Sequence, residues 1–312
     1  MAFGSGSGVK TRQGSSSSDA ELTAFGPGKV IILGEHAAVY GQPVLAGAVS
    51  RGVTARALPG QTGIETAFPL SPVQNDALQR AFAAAAKSVG AAGLRVSVSS
   101  DLPVGMGLGS SAALSVAVAR VLLQAGGKPF GVKQVLALAA TMEGEFHGTP
   151  SGVDHTTSAR GELILYRREG PTRAVKVKKP VRLVVALSGV RTATKTTVAG
   201  LRERRTRWPK RYARLFGEIG VLAAEGAKAV TKGDLAELGD LMNVNHGLLW
   251  AMQLSSERID AVVRRLRALG AHGAKLTGAG GDGGSVIGLF DDPAEAIERL
   301  TADGVECFES AL

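Results

Sequence analysis

The stretch that most constrains this chain is 101–113, DLPVGMGLGSSAA. Gly105, Gly107 and Gly109 alternate with Val104, Met106 and Leu108, and Ser110 and Ser111 then open the run AALSVAVARVLLQAGG. That run is rich in Ala and Leu and is predicted as a helix, with serine at its N-cap and Gly126–Gly127 as its stop. The first turn of a helix carries amide N–H groups without an intrahelical partner, at the positive end of the dipole. Glycine leaves the backbone in front of it bare, so such an entry favours anions, phosphate above all. A tight turn of purely structural use has the same local composition. Spacing excludes two common phosphate motifs: no Lys follows a G-x-x-x-x-G run, and the G-x-x-G end of the dinucleotide fingerprint is missing.

Around this stretch the chain alternates strand-like and helix-like segments. Residues 1–21 are Gly, Ser and polar, too poor in apolar side chains to build a core, and are predicted to be a disordered tail. KVIIL (29–33) reads as a buried strand after a Pro-Gly break, followed by a loop, an apolar strand and the alternating VTARAL. A helix is predicted over 75–90, ended by Gly90, and LRVSVSS (94–100) alternates as a half-buried strand leading into the glycine stretch. A second helical pattern, 133–148, precedes a Pro-Ser-Gly turn and the strand ELILYRR. LVVALSG (183–189) begins a second unit with helices over about 209–230 and 234–253. ERIDAVVRRLRAL then sets Ile259, Val262, Val263, Leu266 and Leu269 at helical spacing, with Gly270 as cap. AKLTGAGGDGGSVIGLF (274–290) is a glycine turn between two apolar strands.

Length fits two domains of ordinary size, and 45% apolar with 20% charged residues is ordinary for a soluble globular chain. No apolar run approaches the ~18 residues that span a bilayer, and the Gly/Ser-rich start does not read as a signal peptide. With Cys307 as the one cysteine no internal disulfide can form, which points to a cytoplasmic address. The net charge of +9 is concentrated in 172–182 and 202–214. A nucleic-acid patch and a solvated basic face are the two readings; no nucleic-acid motif accompanies the charge, so no nucleic-acid partner is expected. A positive field would also draw in anionic ligands.

Five further residues stand out. Lys29 directly follows Pro-Gly and opens a continuous apolar run, an odd place for a solvated lysine. Glu35 and His36 follow Gly34 and read equally as loop polar residues. Asp154 follows a Pro-Ser-Gly turn and reads equally as a turn aspartate. Glu143 alone reads as a solvated helix residue.

Taken together these stretches resemble a known family. P-x-G-x-G-x-G-S-S-A-A is similar to the phosphate loop of the GHMP small-molecule kinases. PGKVIILGEHAAVYGQPVLA (27–46) is similar to the first motif of the mevalonate kinases in that family, and EGEFHGTPSGVD (143–154) to their E-x-x-x-H-G-x-P-S-G-V/I-D. The turn at 278–284 resembles the third motif, but this chain inserts Asp282 where the mevalonate kinases usually have an unbroken glycine series. A carboxylate there would repel a triphosphate unless it points away.

The resemblance implies an α+β, two-domain GHMP kinase fold, with an S5-like ATP-binding domain over 22–180 and a ferredoxin-like domain over 181–312. It implies phosphorylation of the primary hydroxyl of mevalonate by ATP with Mg²⁺. Residues 105–111 (Gly105, Met106, Gly107, Leu108, Gly109, Ser110, Ser111) would cradle the phosphates. Ser111 and Glu143 (rather than Glu145) would hold the metal. Asp154 would act as base, with Lys29 beside it acidifying the hydroxyl and neutralising charge. Glu35, His36 and Thr194 would lie on the acceptor's side, Thr194 within a Thr-Lys pair preceding a helix. Gly278, Ala279, Gly280 and Gly281 would form a supporting loop, and His246 would be a packing or interface residue. The resemblance also leaves room for a homodimer and for inhibition by isoprenoid diphosphates. Its rivals are another GHMP kinase, such as a phosphomevalonate kinase, and a catalytically silent ligand sensor.

Overall fold

In the computed structural model, residues 22–91, 93–128, 131–147, 151–191 and 193–312 are described; the tail 1–21 and residues 148–150 of the turn before Asp154 lie outside them. The spine of the first sheet is a 16-residue strand, β2 (Val44–Pro59), in which VLAGAV and VTARAL run on as one element. On one edge it pairs antiparallel with β1 (Thr23–Leu33). Its other edge is shared by two strands, β5 (Ile164–Tyr166) at residues 44–46 and β4 (Leu94–Ser100) at residues 53–59. β3 (Gly63–Thr66) adds parallel to β4, and the two-residue β6 (Arg173–Ala174) closes the far edge on β5.

Helices cover the inner face of this sheet. α1 (Pro72–Val89) starts three residues earlier than expected, because Ser71 and Gln74 form a reciprocal capping box with proline in the first turn. α2 (Ser110–Ala125) is buried on nearly every side between β1, β2 and α3 (Val132–His147), which explains why its Ala/Leu/Val run shows no polar stripe. Phe82, Val96, Val98, Leu122 and Met142 form the centre of this core. The short α4 (Val153–Arg160) packs on β1 and α2.

The second sheet has the order β10-β7-β9-β8, every neighbouring pair antiparallel, from β7 (Arg182–Leu187), β8 (Gly273–Thr277), β9 (Ser285–Phe290) and β10 (Cys307–Ala311). With α5 (Thr194–Arg207), α6 (Pro209–Lys232), α7 (Leu235–Ala251) and α8 (Glu257–Ala268) between β7 and β8, and α9 (Ala294–Ala302) between β9 and β10, this is the βαββαβ ferredoxin-like arrangement expected of the second half. The division expected at residues 180 and 181 falls between β6 and β7. One apolar core runs through both sheets, since Leu33 and Leu45 of the first meet Leu222 and Ala227 of α6 and Leu289 of β9 in a single cluster.

Candidate active site

The first motif creates its geometry by interrupting a strand. Pro27–Gly28 shift the β1–β2 register between Pro27 and Lys29. Just past that shift Lys29 pairs with Ala48 of β2, and its N–H donates to the carbonyl of Leu108, 2.9 Å away, so β1 carries the glycine loop along its edge. The Lys29 side chain is buried, with Nζ 3.2 Å from the carbonyl of Gly107 and 3.1 Å from Oδ1 of Asp154.

The loop itself is a backbone with one apolar face. Met106 and Leu108 are buried in the core, while Gly105, Gly107 and Gly109 take φ of 77°, 78° and 75°. That left-handed conformation is cheap only for glycine. Gly109, not a serine, is the N-cap of α2, and Ser110 and Ser111 are its first two helical residues. The cause is the same positive φ: the chain must turn sharply at 109, and glycine gives the turn without a capping side chain in front of the first N–H groups.

Ser111 and Ser115 stand one turn apart on α2, on the face towards α3. Glu143 of α3 is buried there, accepting from Ser115 Oγ at 3.1 Å and hydrogen-bonded by Ser111. Burial raises its carboxyl to about 7 and the charge of Asp154 adds to the shift, while the two serine hydroxyls oppose it. Glu143 lies in the cleft wall; the side chain of Glu145 lies outside the described residues.

Asp154 sits in the first turn of α4, whose N-cap Gly152 has φ 89°. Tyr166 of β5 donates from its hydroxyl to Ser151 at 2.9 Å, fixing the turn that presents the carboxylate. Lys29, Asp154, Glu143 and His155 share a cleft of about 720 Å³ with Ile31, Val44, His36, Ala279, Thr194 and Arg202. Thr194 and Lys195 open α5 rather than precede it, and both face this cleft.

His36 and Glu35 part company. His36 has φ 62°, a strained backbone for a non-glycine residue. Its Nε2 lies 2.9 Å from the carbonyl of Ala279, which can only accept, so Nε2 carries the proton and Nδ1 is the acceptor. Burial lowers the imidazole to about 4, with Lys275, Lys29 and Arg204 adding to the shift, so the ring is neutral at physiological pH. Glu35, expected beside the acceptor, is instead fully buried behind the cleft wall in an ion pair with Lys275 of β8. Lys275 also donates to the carbonyls of Leu276 (2.6 Å) and Ile31 (3.4 Å). Burial raises Glu35 and lowers Lys275, and each partner's charge pulls the other back. Next to this pair, the Thr277 hydroxyl accepts from the N–H of Ile31 (2.8 Å) and donates to its carbonyl (3.0 Å).

The third glycine turn meets the first loop edge to edge. Gly278, Gly280 and Gly281 have positive φ, and Ser285 Oγ donates to the carbonyl of Met106 at 2.8 Å. Asp282 is exposed on the outer corner, where its carbonyl accepts from Ser256 Oγ at 3.2 Å. It does not line the cleft that holds Lys29 and Asp154. His246 is buried in packing, Nε2 3.2 Å from Asp260 and Nδ1 accepting from Leu276 N–H. The basic stretch is partly tied into the surface: Arg205 stacks on Tyr40, Arg207 and Arg211 on Trp208, and Arg204 bonds the carbonyl of Met252.

The model of the GHMP kinases N terminal domain matches residues 76–162, and that of the GHMP kinases C terminal region matches 227–305. The mevalonate kinase of Aeropyrum pernix is 36% identical, over 93% of this chain and 95% of that protein. This chain belongs to the mevalonate kinase family. Another mevalonate kinase, from Pyrococcus horikoshii, is 32% identical over 84% of the chain and 87% of its own length. Among solved structures, the L. major mevalonate kinase in complex with R-mevalonate superposes with a TM-score of 0.82 at 27% identity, covering 95% of this chain and 98% of that one. The Methanococcus jannaschii mevalonate kinase, at 22% identity and a TM-score of 0.78, shares the two-domain α+β fold over 94% and 99% of the two chains.

Two residues of this family member's site were not singled out from sequence. Ser115 was detectable as the one hydroxyl in an apolar helical run, and Lys275 as a charge inside an apolar strand.

Proposed function

We infer that this chain transfers the γ-phosphoryl group of ATP to the primary hydroxyl of (R)-mevalonate, giving 5-phosphomevalonate and ADP. The observation that carries the reading is the Lys29–Asp154 pair, 3.1 Å apart, at the junction of the glycine loop and the cleft. Phosphoryl transfer asks a protein mainly to position the partners and stabilise charge. The bare loop 105–109 and the uncapped start of α2 supply backbone donors to the phosphates. Asp154 accepts the hydroxyl proton as the oxygen–phosphorus bond forms and the bond to the β-phosphate oxygen breaks. Lys29 holds Asp154 in place and offsets negative charge on the transferring group.

Glu143, Ser111 and Ser115 form an all-oxygen donor set at the edge of the loop, which suits a hard cation. Glu143 and Ser111 would hold Mg²⁺, whose chemistry there is to neutralise the phosphate oxygens. Neutral His36 offers Nδ1 as an acceptor to a second hydroxyl of the substrate, and Thr194 faces it from α5. Glu35 acts from behind by holding β1 and β8 together. No helix among the described residues is long and apolar enough to cross a membrane, and a cytoplasmic setting agrees with the single free thiol of Cys307.

The test is ATP turnover with mevalonate, mevalonate phosphate, homoserine and galactose side by side. Mevalonate should give the highest kcat/KM by at least an order of magnitude. Faster turnover of mevalonate phosphate would move the chain to a neighbouring activity, and no turnover of any of the four would make it a ligand-binding protein.

A further inference from the structure

The three glycines of the loop leave room for three different neighbours. The vacant Cβ direction of Gly109 faces the Lys29 stem, 3.0 Å from Cγ and 3.2 Å from Cε. That of Gly107 faces the third glycine turn, 3.5 Å from the carbonyl of Thr277. That of Gly105 faces Arg191, 3.3 Å from Cδ and 3.4 Å from Cγ. Two cationic stems therefore bracket the loop, one at each end, from the two sheets. Lys29 is buried and committed to Asp154 and Gly107, whereas Arg191 is exposed, and among the described residues no carboxylate forms an ion pair with it.

Its backbone is held in place. The N–H of Ser188 donates to the carbonyl of Gly284 at 2.9 Å, and the N–H of Gly284 is shared between Ser188 Oγ and the carbonyl of Val190, each 2.9 Å away. Segment 188–191 is thus stitched to the β8–β9 turn, and the stem of Arg191 is laid along Gly105. A guanidinium is a rigid fork of N–H donors that fits phosphate oxygens two at a time. An exposed arginine held against a bare glycine backbone has little to bond unless an anion arrives.

We propose that Arg191 is a nucleotide-phosphate ligand, contacting the β- and γ-phosphate oxygens of ATP from the side opposite Lys29. The proposal rests on the loop 105–111 being the phosphate cradle. It makes the second sheet a contributor to nucleotide binding through the segment between β7 and α5.

The experiment is equilibrium titration of Arg191→Gln, without acceptor, with ATP, ADP and adenosine in turn. The Kd for ATP and ADP should rise about tenfold, equivalent to about 1.4 kcal/mol, with the Kd for adenosine unchanged. KM for the acceptor should stay within twofold, and Arg191→Lys should recover part of the loss. An ATP affinity within twofold of the parent protein overturns the proposal, as does equal weakening of adenosine. Gly107→Val, checked for folding by circular dichroism, separates the two readings. If it weakens ATP while Arg191→Gln does not, Arg191 alone loses its role. If it leaves ATP affinity intact, the cradle reading falls, whatever Arg191→Gln shows.

Discussion

Replacing Glu143 by Gln should change how stability depends on pH, and the size follows from its surroundings. In the nucleotide-free protein burial lifts this carboxyl from 4.5 to about 7. Between those values the folded state keeps a proton that the unfolded chain has released, so the group makes stability fall as pH rises. At about 1.4 kcal/mol per unit, the loss across the window comes to about 3 kcal/mol. His36 and His246, both lowered to about 4 by burial, act oppositely: they make stability rise with pH up to the ordinary imidazole value of 6.5. The difference between parent and Glu143→Gln therefore isolates the carboxyl, where neither curve alone would. Thermal melts at pH 5 and pH 8 in chelator should show the parent losing about 3 kcal/mol relative to the variant, roughly 6 °C at about 2 °C per kcal/mol. Mg²⁺ with nucleotide should flatten the parent's extra slope, because a cation favours the ionised form. Parallel pH curves for the two proteins in chelator would refute the argument that the carboxyl is desolvated.

Asp154→Asn should abolish most turnover, by at least a hundredfold in kcat, while ATP titration still gives a Kd near that of the parent; near-parental kcat removes Asp154 as base. Lys29→Met should lower kcat more than it raises KM for ATP, and a change confined to KM would make Lys29 a nucleotide anchor only. Lys275→Met should destabilise by about 3–5 kcal/mol by stranding Glu35 in the interior. Denaturant melts should show Glu35→Gln added to it restoring much of that loss; a double variant no more stable than the single one would mean the pair is not coupled.

Much of this was readable in advance because the relevant positions break local rules. Three glycines at every second position, a lysine opening an apolar strand and an aspartate after Pro-Ser-Gly each contradict the element around them; the lysine and aspartate line the cleft, and the glycine loop meets Lys29 beside it. The βαββαβ order of the second half followed from segment periodicity combined with the resemblance. Direction was harder to read. Gly34, Glu35 and His36 are adjacent in a tight turn, and nothing local says that one side chain faces the cleft while the other is buried. That choice is made by Lys275, 240 residues away. The serine N-cap failed for a related reason: side-chain capping was assumed where a positive φ at Gly109 already makes the turn. Asp282 could be placed only once Ser256 was seen to hold its backbone outward.

The hydroxyl of Thr277, which closes both hydrogen bonds of Ile31, bears on how the cleft fills and empties. Parting the two sheets along that line would strip Ile31 of both partners and leave the Lys275 ammonium short of acceptors in a dry interior, at a cost of several kcal/mol. The opposite wall buries far less. α5 is fourteen residues long and buries only Leu201, with Thr194 and Lys195 at its exposed leading end. The seam between the two sheets is therefore a fixed floor for the cleft, and α5, pinned at its far end by Arg204 and Arg205, stands over it as the more exposed wall.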